Sequence, residues 1–431
     1  MTASPRKPRK PRAGRTGPTT PAPASGTDPT VAPATPAMSA TTAGAPAPPA
    51  GPPASGPVDW HSASLASVLP SVADALGVRA FTGRDRFGLP RTRRAVVVLV
   101  DGLGHDLLVR RSGHAPFLRS HAATTHRVPC GYPSTTATSM GTFGTGLPPG
   151  SHGLVGMQVL DPDTGRLLNE LSWEHGPDPL LWQPNSTVFE AVEASGVRVT
   201  MVGPHYFEGS GLTTAALRGG GFRAAASLDD RVDAAAAAVA ADSRSLVYLY
   251  WGEVDKVGHV HGCQSWQWGD EVEALDRGLA RLAATVPDDV TIVVTADHGM
   301  LDVPFHDRVD LAHEPDLMEG VAELGGEARS LHLYTRPGAA GDVAARWTSE
   351  LGDRLSVLTR DEVVDGGWFG AVRPAVTERI GDVVTVMHGS FAVVHSGLMR
   401  PQVVGLLGLH GSTSDDELAV PVVVVAPRAG A

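Results

Sequence analysis

The sequence predicts an α/β fold built on a mainly parallel β-sheet with helices on both faces. Apolar, β-branched runs recur along the chain, as at residues 95–101 and 245–251. A continuous run of this kind is typical of a strand that is covered on both faces. Segments with helix caps and helical spacing lie between these runs. Strand and helix therefore alternate, which is the pattern of a parallel sheet whose ligands lie at the carboxyl ends of the strands.

The predicted elements begin near Asp59, with a short helical region at 61–76 that is expected to break at Pro70. A helix at 187–194 opens with a capping box formed by Thr187 and Glu190 and closes at Gly196. The other predicted elements are strands at 95–101, 197–202, 245–251, 290–296, 403–407 and 420–425, and helices at 229–241 and 270–285.

Residues 305–400 interrupt the alternation and are interpreted as an inserted cap within a catalytic domain at 58–431. Within this stretch we expect a helix at 342–351 and strands at 331–334 and 381–386. No internal repeat is visible. Substrate specificity is expected to depend on the cap and on the surrounding loops.

Residues 1–57 are predicted to be a disordered Pro/Ala/Thr-rich tail with a basic start. They hold 15 of the 35 prolines and contain no Leu, Ile or aromatic residue, so they have little apolar surface to offset chain entropy. Six basic side chains and one acidic side chain give the tail a charge of +5. Because the whole chain has a charge of −11, residues 58–431 carry −16. An acidic body argues against specific nucleic-acid binding. Contact of the basic arm with an anionic surface remains an alternative.

The hydropathy and the cysteine content bear on location. No apolar stretch follows the basic arm, and no run of about 18 apolar residues predicts a transmembrane segment. A cytoplasmic location is therefore expected. The two cysteines, Cys130 and Cys263, are too few for a disulfide framework and are expected to be free thiols.

Acidic and imidazole side chains follow several of the predicted strands. Each has an ordinary explanation by itself: an Asp can initiate a turn, and Asp255 and His259 can form a surface hydrogen bond. Taken together, they would converge on one edge of a parallel sheet. Three carboxylates and three imidazoles suit zinc, with manganese or iron as weaker candidates, and six ligands suffice for two metal ions. The residues are Asp101, Asp255, His259, Asp297, His298 and His410.

A nucleophile is expected near Thr136, where a turn leads into a short helix. The unpaired N–H groups and positive potential of a helix N-terminus favour a bound anion. The alternative is that these Ser and Thr residues only cap the helix.

The motifs together are similar to one known family over roughly residues 95–427. They include Val100-Asp101-Gly102, Pro133-Ser-Thr-Thr136, Thr145-Gly-Leu-Pro-Pro-Gly-Ser-His152-Gly153, Asp255-x-x-x-His259, Asp297-His298-Gly299 and His410-Gly411. In order and spacing the chain resembles the type I phosphodiesterase/nucleotide pyrophosphatase family of the alkaline phosphatase superfamily.

The resemblance implies an alkaline-phosphatase-like three-layer sandwich and a two-metal hydrolase of phosphodiester or pyrophosphate bonds. Thr136 would be the nucleophile and would pass through a phosphothreonine intermediate. One Zn2+ would be held by Asp255, His259 and His410, and the other by Asp101, Asp297, His298 and Thr136. Mn2+ or another divalent metal is the alternative cofactor. The expected partner is a small-molecule phosphate ester, with nucleotides among the candidates. Relatives are often exported, so export by an unrecognised leader also remains open.

One departure from the family pattern concerns substrate binding. The family usually has Phe-Pro-Asn-His after the nucleophile, whereas this chain has Ala137-Thr138-Ser139-Met140. Ser139 is therefore the candidate donor to a phosphoryl oxygen, with the backbone N–H groups of residues 136–139 as the alternative.

The same motifs bear on related functions. The sulfatase motif Cys-x-Pro-x-Arg is absent at Cys130. A phosphomonoesterase or phosphomutase of the same superfamily, and a non-catalytic phosphoester-binding scaffold, remain alternatives.

Several other polar or aromatic residues near these motifs are expected to be structural. His261 is expected to face solvent. Packing is favoured over a place in a leaving-group pocket for Tyr132, His205, Tyr206 and Trp368.

Overall fold

A seven-stranded mixed β-sheet forms the centre of the computed structural model, which describes residues 56–428. Its strands are β1 (Arg94–Val100), β2 (Thr125–Pro129), β3 (Arg198–Gly203), β4 (Gly221–Ala224), β5 (Ser245–Trp251), β6 (Val290–Thr295) and β7 (Ala419–Val425). Five neighbouring strands run parallel in the order β6-β1-β5-β3-β4, and β7 runs antiparallel to both β6 and β2 at the other end.

The central strands are apolar because both faces of the sheet are covered. Every residue of β5 and β6 is buried, and so is every residue of β1 after Arg94. The helices that cover the sheet and flank the site are α1 (Val68–Ala75), α2 (Thr136–Thr145), α3 (Val188–Ala194), α4 (Gly211–Ala216), α5 (Leu228–Ala241), α6 (Glu253–His261) and α7 (Trp266–Thr285). The prediction of a mainly parallel α/β sheet is confirmed.

The register places the carboxyl ends of the three central strands side by side. Val100 lies opposite Trp251, Leu99 lies opposite Thr295, and the N–H of Asp101 donates to the carbonyl of Trp251 at 2.8 Å. The residues that follow β1, β5 and β6 therefore meet at one edge of the sheet.

Two local predictions differ from the structure. Pro70 does not break the first helix. It is the third residue of α1, and at this position a backbone N–H would have no acceptor within the helix, so its absence costs no hydrogen bond. The strand predicted at 403–407 is wrong. Pro401 instead starts a short helix, Pro401–Val404, and only Gly408–Leu409 is extended, paired antiparallel with Leu301–Asp302.

Residues 305–400 contain a second, four-stranded antiparallel sheet. Its strands are Val321–Glu327, Ser330–Thr335, Leu355–Thr359 and Val383–Met387, and the helix α8 (Ala340–Leu351) packs with it. A separate apolar core forms here around residues such as Leu333, Val343 and Trp347. The role of this stretch as a cap stays a prediction, and the predicted tail lies almost entirely outside the described residues.

The remaining elements are short. Two small sheets pair Arg308–Asp310 with Ala392–Val394 and Gln158–Asp161 with Arg166–Asn169. No helix within residues 56–428 combines the length and hydrophobicity that crossing a membrane requires. The short helices are His105–Arg110, Pro116–Ser120, Pro149–His152, Pro179–Trp182, Pro315–Met318, Arg360–Asp365, Pro374–Thr377 and Asp415–Leu418.

Candidate active site

The six acidic and imidazole residues predicted as ligands lie together at the carboxyl edge of the central sheet. Asp101 directly follows β1, and Asp297 and His298 follow β6 by one residue. Nε2 of His298 lies 3.4 Å from Oδ1 of Asp101 and 3.5 Å from Oδ2 of Asp297. His410 reaches the same place on a loop, and its ring stacks on that of His298 with centroids 3.9 Å apart.

Asp255 and His259 lie one turn apart on α6, as their spacing predicts. Nε2 of His259 is 3.3 Å from Oδ2 of Asp255. The edge of β1 approaches this helix so closely that a Cβ on Gly102 would lie 2.9 Å from Cα of Asp255, and Gly102 also has a φ of +72°. A glycine is therefore required at this contact.

Two groups of potential ligand atoms are close enough to surround a cation. Asp255, His259 and His410 have ligand atoms within 4.8 Å of one another, and so do Asp101, Asp255 and His298. The first group has the composition that the family resemblance implies. The second contains Asp255 where the resemblance implies Asp297, so Asp255 belongs to both groups.

Backbone carbonyls orient all three imidazoles in the same way. Nδ1 of His259 lies 2.7 Å from the carbonyl oxygen of Gly408, and Nδ1 of His298 lies 2.9 Å from that of Gly299. Nδ1 of His410 is 3.0 Å from the carbonyl oxygen of Ser134. Because a carbonyl only accepts, each Nδ1 carries a proton, and Nε2 is the ring nitrogen left to bind a metal ion.

The carboxylates of the cluster are buried without sufficient hydrogen bonds. Oδ1 of Asp101, Oδ1 of Asp255 and Oδ2 of Asp297 are buried and have no partner among the described residues. Burial is the main cause that raises the pKa of Asp101 and raises that of Asp297 to about 7, and repulsion from neighbouring carboxylates adds to it. Burial also lowers the pKa of His410. Orphaned carboxylates, together with imidazoles whose Nε2 points to the same centre, fit divalent cations, which would stabilise the ionised carboxylates.

Thr136 is the first residue of α2 and faces this cluster. Its Oγ1 lies 3.1 Å from Nε2 of His298. Thr135 precedes it in an extended conformation, and its side chain makes no capping hydrogen bond with the described part of the helix, so N–H groups of the first turn remain for a ligand. The hydroxyl and the helix N-terminus therefore face the same polar centre.

Ser139, the predicted substrate-binding residue, lies apart from the surface on which Thr136 opens. It is buried, its hydroxyl lies beside the Cys130 thiol, and it does not line the cavity described below. The direct contact with substrate expected of Ser139 stays a prediction. Cys130 and Cys263 are both buried free thiols, and His261 is exposed.

His152, from the predicted motif after the nucleophile helix, has a packing role. Its Nδ1 accepts from the N–H of Leu154, and its Nε2 lies 3.1 Å from the hydroxyl of Thr142. Burial and the nearby Arg373 and Arg379 lower its pKa to about 3, so the ring is neutral and fixes the helix of Thr136 to the following turn.

A cavity of about 520 Å³ opens onto Thr136 and Asp101. None of its lining residues comes from 305–400, and an influence of that stretch on specificity stays a prediction. Tyr206 lines it, against the expectation of packing, whereas the rings of Tyr132 and Trp368 pack 5.2 Å apart as expected. The other principal lining residues are Met140, Phe207, Leu212, Leu217, Arg231, Tyr248, Tyr250, Glu253, Lys256 and His259.

The turn between the first two strands of the second sheet brings further charges to the cluster, which the sequence analysis missed. Oε2 of Glu327 lies 3.4 Å from Nδ1 of His410. Arg329, two residues later, forms a fully buried pair with Glu417, with nitrogen–oxygen distances of 2.6 and 2.8 Å. A lone Glu and Arg two residues apart carry no motif, and only tertiary structure places them here.

Comparisons with known proteins agree with this geometry. The family model described as "Type I phosphodiesterase / nucleotide pyrophosphatase" matches residues 95–413. An uncharacterized pyrophosphatase/phosphodiesterase of Schizosaccharomyces pombe is 28% identical over 219 residues, which are 48% of this chain and 44% of the relative. Ectonucleotide pyrophosphatase/phosphodiesterase family member 7 of Mus musculus is 38% identical over 64 residues, 14% of this chain and 15% of the relative. The chain thus aligns with less than half of the length of these relatives.

Solved structures share the fold at low identity. Murine ectonucleotide pyrophosphatase/phosphodiesterase 5 is 19% identical with a TM-score of 0.63, covering 78% of this chain and 88% of that one. An inactive variant of the same murine protein in complex with AMP is 18% identical, with the same TM-score and coverage. Phosphonoacetate hydrolase of Sinorhizobium meliloti, in complex with phosphonoacetate, is 20% identical with a TM-score of 0.59. The match covers 79% of this chain and 93% of the hydrolase. The alkaline-phosphatase-like fold class is confirmed.

Proposed function

Because this chain belongs to the type I phosphodiesterase/nucleotide pyrophosphatase family, we propose that it hydrolyses phosphodiester or pyrophosphate bonds with Thr136 as the nucleophile. The observation that carries the proposal is the position of the Thr136 hydroxyl, 3.1 Å from Nε2 of His298 and at an uncapped helix N-terminus. The neighbouring hydroxyl of Ser134 is engaged elsewhere, since its Oγ donates to the carbonyl of Ser412.

Two divalent cations, zinc in the first instance, fit the donor set. We assign one to Asp255, His259 and His410 and the other to Asp101, Asp297, His298 and Thr136, with Asp255 between them. When bound, they would supply positive charge to the attacking oxygen, to the phosphoryl oxygens and to the leaving oxygen. The support is chemical: orphaned carboxylate oxygens and three imidazoles whose Nε2 atoms are left to bind a metal ion.

The residues of the chain then define two displacement steps. In the first, the O–H bond of Thr136 breaks, its proton passes to solvent, and Oγ1 forms a bond to phosphorus as the bond to the leaving alcohol or phosphate breaks. In the second, water attacks phosphorus, the bond to Thr136 breaks, and the hydroxyl is restored. The N–H groups of the first turn of α2 bind a phosphoryl oxygen. They take the place of the side-chain donor that the family usually has. Two inversions retain the configuration at phosphorus.

The cavity accepts the organic part of a small substrate. Its aromatic and aliphatic walls suit a nucleoside or another apolar group, and the complex of the murine structure with AMP supports nucleotides as candidates. A mononucleotide ester or dinucleotide is therefore the first substrate to test.

The experiment is the hydrolysis of bis-p-nitrophenyl phosphate by the zinc-loaded full chain, compared with its Thr136→Ala and Thr136→Ser variants. Loss of the hydroxyl should reduce kcat by at least about 10³-fold, while serine should restore part of it. Zinc content, measured by atomic absorption, should remain near two per chain in all three proteins. Turnover by Thr136→Ala near the wild-type rate would overturn the role of Thr136. A faster reaction on p-nitrophenyl phosphate than on the diester would favour a monoesterase.

A further inference from the structure

The cavity beside Thr136 contains a buried arginine that forms no ion pair with a carboxylate of residues 56–428. Arg231, in the first turn of α5, is 5% exposed. Its Nε donates to the carbonyl of Ala225 at 3.0 Å and its Nη1 to the carbonyl of Tyr250 at 2.8 Å, while the guanidinium lies 4.8 Å from the ring centre of Trp251. Within residues 56–428 its Nη2 makes no hydrogen bond and no acidic side chain lies within 4.0 Å of the guanidinium. A buried cation held only by neutral groups retains attraction for an anion.

A second cation lines the same part of the cavity. Nζ of Lys256 lies 2.5 Å from Oε1 of Glu253, and both residues line the cavity with Arg231. Lys256 is thus paired with Glu253, whereas no acidic side chain among residues 56–428 lies within 4.0 Å of the guanidinium of Arg231. Burial lowers the pKa of Arg231, a penalty that a bound anion would relieve. We call Arg231 and Lys256 the basic end of the cavity.

Tyr250 separates Arg231 from the cluster of acidic and imidazole residues: its hydroxyl donates to Oδ2 of Asp101 at 2.5 Å, and its backbone carbonyl accepts from Arg231. Lys256 directly follows Asp255 on α6 and lies nearer to the cluster. The walls that connect the two ends are largely apolar and include Phe207, Leu212 and Tyr248. A ligand that fills the cavity therefore meets the nucleophile, an apolar wall and a positive charge.

We propose that the substrates are phosphodiesters or pyrophosphates whose organic group combines an apolar body with a second anion, a carboxylate or a phosphate, bound by Arg231 and Lys256. This inference rests on the proposed function and adds the chemical class of the group that fills the cavity. The planar guanidinium offers its free Nη2 to an oxyanion, and Lys256 adds a point charge.

The test uses diesters that share p-nitrophenolate as the leaving group and differ only in the other ester. The zinc-loaded full chain is assayed with p-nitrophenyl phenyl phosphate, with a series bearing a carboxylate on linkers of increasing length, and with an aminomethyl analogue. At least one carboxylate substrate should exceed the phenyl ester in kcat/KM by about ten- to a hundredfold, mainly through a lower KM, and the ammonium analogue should be the poorest. If no carboxylate is preferred while the phenyl ester is hydrolysed, this inference fails and the proposed function stands.

Variants then locate the preference. Arg231→Gln should bring the ratio of kcat/KM between carboxylate and neutral ester close to one, and Lys256→Gln should lower it less. Arg308→Gln is the matched control, because Arg308 also bonds to backbone carbonyls, of Val404 and Leu406, but lies outside the cavity. Its ratio should equal that of the wild type. Because the ratio compares two substrates on one protein, partial misfolding does not affect it, and an unchanged ratio in Arg231→Gln would overturn the assignment.

A binding measurement removes the dependence on turnover. Titration calorimetry on zinc-loaded Thr136→Ala should show tighter binding of a carboxyphenyl phosphate than of phenyl phosphate, by about tenfold or more. Equal affinities would contradict the inference even if no diester is hydrolysed, and absence of hydrolysis in every diester would contradict the proposed function alone.

Discussion

Replacement of Glu170 by glutamine should change how the stability of the protein depends on pH. Glu170 is fully buried; its Oε1 accepts from Nε1 of Trp182 at 2.7 Å, and its Oε2 faces the N–H of Gly156 at 3.4 Å. Burial raises its pKa from 4.5 to about 8. Between these two pH values the carboxyl of the native protein keeps a proton that the unfolded chain has lost. The free energy of unfolding is therefore highest below pH 4.5 and falls as the pH rises to about 8.

The magnitude follows from the linkage relation. Each pH unit in this window costs about 1.4 kcal/mol, so the wild type should lose up to about 5 kcal/mol of unfolding free energy relative to Glu170→Gln. Glutamine keeps an acceptor for Trp182 and does not ionise. Urea unfolding of both proteins across the window measures the difference, with the exposed Glu174→Gln as the matched control. A difference between wild type and Glu170→Gln that stays constant with pH would refute the reasoning.

Three further substitutions test the packing around the site. Arg329→Met leaves the buried carboxylate of its partner uncompensated and should cost about 3–5 kcal/mol in urea unfolding; a loss below about 1 kcal/mol would contradict the pairing. Glu327→Ala should weaken zinc binding by about 10–100-fold in competition with a chromogenic chelator, whereas Glu323→Ala, exposed on the same strand, should not; equal affinities would count against contact with His410. Gly144→Ala would place a Cβ 1.8 Å from the carbonyl oxygen of Ala216, and should cost roughly 1–3 kcal/mol of stability; a variant as stable as wild type would rule out this close approach of α2 and α4.

The fold could be predicted where local patterns and tertiary packing agree. The apolar runs at β1, β5 and β6 became buried parallel strands, and the Thr187–Glu190 capping box begins α3 as expected. The prediction of a strand at 403–407 was wrong because an apolar run of that length does not distinguish a strand from a helix. Pro401 at the first helical position favours a helix.

The site could be predicted in its residues but not in its surroundings. The positions of Asp101 and Asp297 follow from the register of the central strands, and the i, i+4 spacing brings His259 beside Asp255. The cavity walls and the approach of Glu327 depend on how distant segments pack, which no local pattern records. The three carbonyls that orient the imidazoles were equally invisible, because backbone groups carry no sequence signal.

The most direct test of the account is to trap phosphate on Thr136. Zinc-loaded protein is acid-quenched during turnover of bis-p-nitrophenyl phosphate and digested, and the peptide that contains residue 136 is sequenced by mass spectrometry. We expect a p-nitrophenyl phosphoryl group esterified to Thr136, present only with substrate and missing from Thr136→Ala. Rapid turnover with no modified Thr136 at any quench time, or a modification on another residue, would contradict a threonine nucleophile at this cluster.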